Sequence, residues 1–197
     1  PSYLANSAFM ADGETLEIQD LFAAKPVRRF VAGEHNFETQ TPESAEPKSF
    51  NEAAKWESWL TADYSGEVEY QAEVNIPDAW NARRLELAAA DVQYAATVLV
   101  DGKEAGQLSW APWRVELPPM APGKHQITIR VANTLANELT SERVAKAWGE
   151  KKGPGWPSPY HERALVFERE SRGGGITGPI TLRAMKPVKA IYPKEQK

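Results

Sequence analysis

The residues best suited to chemistry in this sequence are its seven tryptophans. An indole presents a flat apolar face that stacks on the C–H side of a sugar ring, while nearby Asn, Arg or Asp groups read the hydroxyls around it. The same ring is also a large unit of core packing, so each one is read by its setting. Trp59 lies just ahead of the first clear strand, Trp80 in the turn "PDAW" and Trp113 at the head of "WRVEL"; these three read as packing residues. Trp110 precedes Ala-Pro in a loop, and Trp148 and Trp156 flank "GEKKGPG", a run too polar and glycine-rich for a core. These three read as exposed, and each is as well placed to stack on a ligand as to pin a long loop onto the protein. Tyr160 and Arg172, near the same glycine-rich segments, complete the candidate ligand-binding set.

Other chemistries find little support. The sequence has no His-Glu-x-x-His, no Gly-x-Ser-x-Gly elbow and no phosphate loop, and its three histidines, His35, His125 and His161, are scattered. His125 sits in the alternating run "KHQITIRV" and reads as a solvent-facing or hydrogen-bonded strand histidine. With 27 carboxylates, some pair must fall at the spacing of an acid/base couple, so a pair alone means little. Glu67, Glu69 and Glu73 share one face of one strand and read as its wet side. "RGGGITG" lacks the strand-to-helix setting of a phosphate cradle and reads as a turn into the last strand.

Composition narrows the partners. The chain has 197 residues, 42% apolar and 25% charged, enough for one domain with a single core. A net charge of −4 with interspersed signs offers no basic stripe, so no nucleic-acid partner is expected. Zero cysteines rule out disulfides and thiol chemistry and fit a cytosolic or a bacterial secreted protein equally. No apolar run is long enough to cross a bilayer, and the chain opens at Pro1 without a charged-then-apolar leader. We therefore expect a soluble chain without a membrane partner, a mature form or an excised piece.

The elements that must carry these residues read as strands. In "EVEYQAEVNI", Val68, Tyr70, Ala72, Val74 and Ile76 alternate with Glu67, Glu69, Gln71, Glu73 and Asn75, the pattern of a half-buried antiparallel strand. "RRLELAA", "YAATVLV", "RVEL", "HQITIRVAN", "ALVFERE" and "PITLRAM" follow, with Asp101-Gly102 as a two-residue hairpin turn. An antiparallel sandwich is expected from Gly66 to Met185. Its inward set comprises Val68, Tyr70, Leu85, Leu87, Val98, Val100, Ile127, Ile129, Val131, Leu165, Phe167, Ile180 and Leu182. "SFNEAAKWESWL" reads as a short helix capped by Ser49 or Asn51, with Trp56, Trp59 and Leu60 on one face. Residues 1–50 lack sustained periodicity and read as a segment wrapped around the same domain, with 51–197 as the sandwich.

These strands also carry a resemblance. "GEVEYQAEVNIPDAW", "RRLELAAADVQYAATVLVDGKEAG", "WAPWRVELPPMAPGKHQITIRVANT" and "GITGPITL", taken in order, resemble the sugar-binding jelly-roll domain of glycoside hydrolase family 2, over residues 59–184. "VANTLANEL" is similar to the accessory domains of family 106-like rhamnosidases, where the segment reads Asn-Thr-Trp-x-Asn-Arg-Leu; here Leu135 and Glu138 replace the Trp and the Arg. The resemblance implies an all-β antiparallel jelly roll of galactose-binding-like type with short helical insertions. It also implies a non-catalytic module of a secreted or periplasmic bacterial glycoside hydrolase. Its partners would be a polysaccharide or oligosaccharide and a catalytic glycosidase domain. The other reading is a purely structural jelly roll whose aromatics pack against that catalytic domain. A structural calcium is a further option that the resemblance brings, with Asp12, Glu14 and Asp20, or Asp63 and Glu67, as carboxylates of the right kind and no diagnostic spacing.

Overall fold

In the computed structural model, described for residues 10–32, 37–42, 46–144, 146 and 173–187, the chain is an all-β sandwich of two antiparallel sheets. The strands are β1 (Met10–Glu17), β2 (Ala23–Ala32), β3 (Phe37–Gln40), β4 (Lys48–Ser49), β5 (Gly66–Ile76), β6 (Leu85–Gln93), β7 (Ala95–Val100), β8 (Lys103–Leu108), β9 (Arg114–Leu117), β10 (Gly123–Ala132) and β11 (Gly175–Pro187). One sheet runs β1-β11-β6-β9, and the other runs β3-β2-β5-β10-β7-β8 with β4 paired to β2.

Period two decides which residues meet. Along β5, Val68, Tyr70, Ala72, Val74 and Ile76 are buried. Register carries that face onward: Val68 opposes Val131, Tyr70 opposes Ile129 and Ala72 opposes Ile127, and Ile127 and Ile129 in turn oppose Val100 and Val98. The wet face is laced by charge pairs, Arg130 with Glu69 at 2.6 Å, Lys124 with Glu73 at 2.6 Å and Arg28 with Glu67 at 3.1 Å. In the facing sheet Leu182 lies between Leu87 and Leu16, and Leu85 between Ala184 and Leu117. Of the expected inward set, Leu165 and Phe167 lie outside the described residues, and the rest are buried.

The sandwich begins earlier than the periodicity indicates. β1 is an edge of one sheet, and β2 pairs with β5 in the other, so strands start at Met10 and not at Gly66. Alternation is hidden in β2 because the register shifts between Pro26 and Arg28. Proline cannot donate to the ladder, and an irregularity of this kind changes which face each following side chain takes.

The expected helix over 49–60 is also cut short. Glu52 accepts hydrogen bonds from the Ser49 backbone N–H at 3.0 Å and from its hydroxyl at 2.7 Å, and helix α1 (Phe50–Ala53) makes one turn. Lys55 is then extended and Trp56–Ser58 form a 3-10 turn, so Trp56, Trp59 and Leu60 do not share a helical face. Burial of Trp56 overrides helix continuation. Its indole Nε1 donates to the Tyr70 hydroxyl at 3.0 Å, and that hydroxyl donates to the Ala53 carbonyl at 2.8 Å. Burial pushes the Tyr70 phenol up to about 12, so it stays protonated and can serve both partners. Gly174 is the seat of the indole, since a side chain there would run into the Trp56 ring.

The hairpin forms as expected, Asp101 and Gly102 both having positive φ, at 49° and 77°. It gains a clasp from β10. His125 Nδ1 lies 2.7 Å from Asp101 Oδ2 and Nε2 lies 2.8 Å from the Ala121 carbonyl, so both ring nitrogens face acceptors and the imidazolium satisfies both. The hydrogen bond to Asp101 raises the His125 pKa above its ordinary 6.5, and the same bond holds Asp101 below its ordinary 3.8. The sign follows: the histidine contribution is complete below pH 6.5 and fades as pH rises through the raised folded value. The carboxylate contribution is complete above pH 3.8 and fades as pH falls through the lowered one. The melting-temperature gap between wild type and His125→Gln is therefore expected to be widest between about pH 4 and 6.5 and to close in alkali. A gap unchanged from about pH 5 to about pH 9 would show that the clasp does not depend on the imidazolium charge.

Candidate functional site

On the outward face of the β1-β11-β6-β9 sheet a groove with a volume of about 390 Å³ lies against β6. Its floor follows from three alanines. Leu85 and Leu87 point into the core and Ala89 packs against it, while Ala88 and Ala90 on the outward phase offer only methyl groups, which leaves a hollow between the flanking strands. The walls are Ala111, Pro112, Trp113 and Arg114 from the β8–β9 loop and the start of β9, and Pro179, Thr181 and Arg183 from β11. The Trp113 carbonyl accepts the Ala89 N–H at 2.9 Å and fastens the loop to the floor.

Register sets the polar groups. Ala88 opposes Arg114 on one side and Thr181 on the other, while Glu86 opposes Arg183. Thr181 and Arg183 alternate with Ile180, Leu182 and Ala184, all fully buried, so both face outward. Glu86 Oε1 lies 3.9 Å from Nη1 of Arg114 and 3.9 Å from Nη1 of Arg183. At that separation the carboxylate attracts both guanidiniums without forming a hydrogen bond to either contact atom.

The candidate residues fall into three groups. Trp110, on the loop that forms one wall, is 77% exposed, as expected from its place in the sequence. Trp148, Trp156, Tyr160 and Arg172 lie outside the described residues. Trp113 is half-buried; it packs against the core and also lines the groove, so the packing role expected for it is only half of its setting. Trp59 is half-buried against the core, and Trp80 is buried, with its indole Nε1 donating to Glu14 at 2.7 Å. Sequence reasoning missed Arg114, Thr181 and Arg183 entirely. The three consecutive alanines of "LELAAADV" were the available signal, because a strand that lacks side-chain volume over three positions leaves space above it.

Three of the carboxylates considered for a cation have other company. Asp63 pairs with Arg29 at 2.9 Å, Glu67 with Arg28 at 3.1 Å, and Glu14 with Trp80. Among the described residues no group of three His, Asp or Glu side chains is placed to hold a metal. Glu138, at the position where the rhamnosidase-like segment has Arg, is fully buried on helix α2 (Ala136–Leu139). It accepts the Ala32 N–H at 2.9 Å and pairs with Arg143, with Arg29 4.0 Å away, which ties α2 to the end of β2. Among the described residues no helix is long and apolar enough to cross a membrane.

No family model and no curated protein matches the sequence. Solved structures do. A beta-glucuronidase from an uncultured Clostridium sp. aligns with a TM-score of 0.51 at 18% identity, over 89% of this chain and 30% of that one. A Faecalibacterium prausnitzii beta-glucuronidase aligns with a TM-score of 0.50 at 16% identity, over 87% of this chain and 31% of that one. A rhamnosidase from Novosphingobium sp. PP1Y aligns with a TM-score of 0.46 at 18% identity, over 88% of this chain and 15% of that one. Likeness at this level is likeness of fold. The chain spans less than a third of the length of each of these three proteins.

Proposed function

We propose that this chain is a non-catalytic β-sandwich module of a glycoside hydrolase and that it binds glycan at the groove beside Trp110. The fold likeness to a domain-sized part of two beta-glucuronidases supports the first half. The observation that carries the second is Trp110 itself, 77% exposed on the loop whose next residues wall a groove furnished with an indole, a hydroxyl and two guanidiniums. Flat apolar surface with convergent hydrogen-bonding groups is what a sugar ring requires. The wet face of the other sheet, by contrast, is laced with charge pairs such as Arg130–Glu69 and Lys124–Glu73. Trp148, Trp156, Tyr160 and Arg172 belong to the same proposal as further contacts. A secreted or periplasmic location, the one the sequence resemblance implies, belongs to the same proposal.

Affinity electrophoresis against a panel of neutral and acidic plant and bacterial polysaccharides tests this reading. The wild-type chain is expected to be retarded by at least one of them. Trp110→Ala should keep the wild-type melting temperature, because an exposed ring contributes little to folding, and should lose about tenfold in affinity. A folded wild type that ignores every glycan would reject glycan binding and favour the structural alternative, in which Trp110 packs against another domain.

A further inference from the structure

We infer that the groove takes the end of a glycan chain and excludes its internal stretches. This rests on the proposed glycan-binding reading and specifies which part of a glycan the site accepts. The groove is closed at one end. Three side chains on three adjacent strands stand in a row across it, Arg114 on β9, Glu86 on β6 and Arg183 on β11. Glu86 lies 3.9 Å from each guanidinium, so opposite charges draw the row together. Glu86 and Arg183 are only 20% and 22% exposed, and Arg183 is engaged by a further interaction, which holds the row in place. With its carboxylate shared by both arginines, the row is a wall and not an open cationic surface.

The other end is open. β9 runs antiparallel to β6, with Arg114 opposite Ala88 and the Trp113 carbonyl on the Ala89 N–H, so Pro112 and Ala111 lie on toward Ala90. Ile180 opposes Ala89 on the other side, which brings Pro179 to the same end. None of the described lining residues there is charged, and the loop leads on to Trp110, 77% exposed. From Ala88 to Ala90 the floor rises by about 7 Å, which leaves room for about one sugar ring between wall and mouth. The groove volume of about 390 Å³ is near the lower limit of ligand pockets, which span about 300–1,000 Å³. The terminal ring thus sits over Ala88 and Ala90 against Trp113, and the next ring leaves across Trp110. An internal ring has a glycosidic neighbour on both sides, and one of the two would have to occupy the space of the Arg114–Glu86–Arg183 row.

The test is calorimetric titration of the full chain with linear galactan, xylan and glucan oligomers, from disaccharide to hexasaccharide. Each hexasaccharide is also used with a bulky ether on the outermost hydroxyl of its non-reducing ring, or with a bulky aglycone at its reducing end. The expected result is a single protein bound per oligomer at every length, with affinity rising less than about threefold from trisaccharide to hexasaccharide. Capping one end should cost at least about tenfold and capping the other should change little, the sensitive end being the one seated at the wall. Arg114→Ala and Arg183→Ala each lower the wall and should recover much of the binding to the capped hexasaccharide. Arg114 is half exposed, so its variant carries the test if Arg183→Ala fails to fold. Tolerance of caps at both ends, affinity that climbs with every added residue, or a capped hexasaccharide still excluded from folded Arg114→Ala would each overturn the inference while leaving glycan binding in place. No binding to any oligomer by the folded chain would remove the glycan-binding reading and the inference with it.

Discussion

Trp56→Ala is expected to lower the free energy of unfolding by about 3–5 kcal/mol, the cost of truncating a fully buried aromatic side chain. Trp56 is 3% exposed, packs edge-on against Tyr64 with ring centroids 5.6 Å apart, and sits over Gly174 where β11 begins. Removing the ring leaves a void between elements distant in sequence and strips the Tyr70 hydroxyl of the indole donor it accepts at 3.0 Å. A domain of this size has about 5–15 kcal/mol in total, so the variant should unfold at markedly lower denaturant or fail to accumulate. Trp110→Ala, the same chemical change at the surface, should do neither. A drop below about 1 kcal/mol for Trp56→Ala would contradict the burial described for it.

Gly66→Ala is expected to rank next, at about 3 kcal/mol, the upper end of the range for overpacking. A Cβ on Gly66 would be driven into the Arg28 carbonyl of β2, a backbone group with no rotamer in which to escape. Relief requires β2 to move away from β5. That carbonyl also accepts the Tyr64 hydroxyl at 2.8 Å, and Gly66 itself donates its N–H to Asn133 at 2.8 Å, so the shift breaks contacts at the junction of β2, β5 and the end of β10. Chemical denaturation reads this directly. A variant as stable as wild type would mean that β2 and β5 do not approach as closely as described.

What the sequence displays and what it conceals follow from the range of the forces involved. β5, β7 and β10 were legible because each buries one face and wets the other, and the Asp101-Gly102 turn fixes the hairpin locally. β2 was not legible, because the irregularity at Pro26 erases the alternation that identifies a strand. The helix at 49–60 was misread for the opposite reason. Its local pattern is good, but Trp56 is claimed by Tyr70 and Gly174, partners with no local signature. Glu138 was likewise unreadable, since its burial depends on the Ala32 N–H and on arginines from β2 and beyond α2. Beside the groove, Trp110 was legible as one of three tryptophans expected to be exposed. Arg114 and Arg183 were not, because they become neighbours only when β9 and β11 close on either side of β6.

The most direct test of the account is a glycan titration of nitrogen-labelled protein followed at the tryptophan indole N–H resonances. Binding at the groove predicts that the Trp110 and Trp113 signals shift together and saturate, while those of Trp56 and Trp80, enclosed in the core, stay in place. Titrations that leave Trp110 and Trp113 unmoved by every glycan, or that bind through Trp148 or Trp156 alone, would contradict a binding site at the groove beside Trp110.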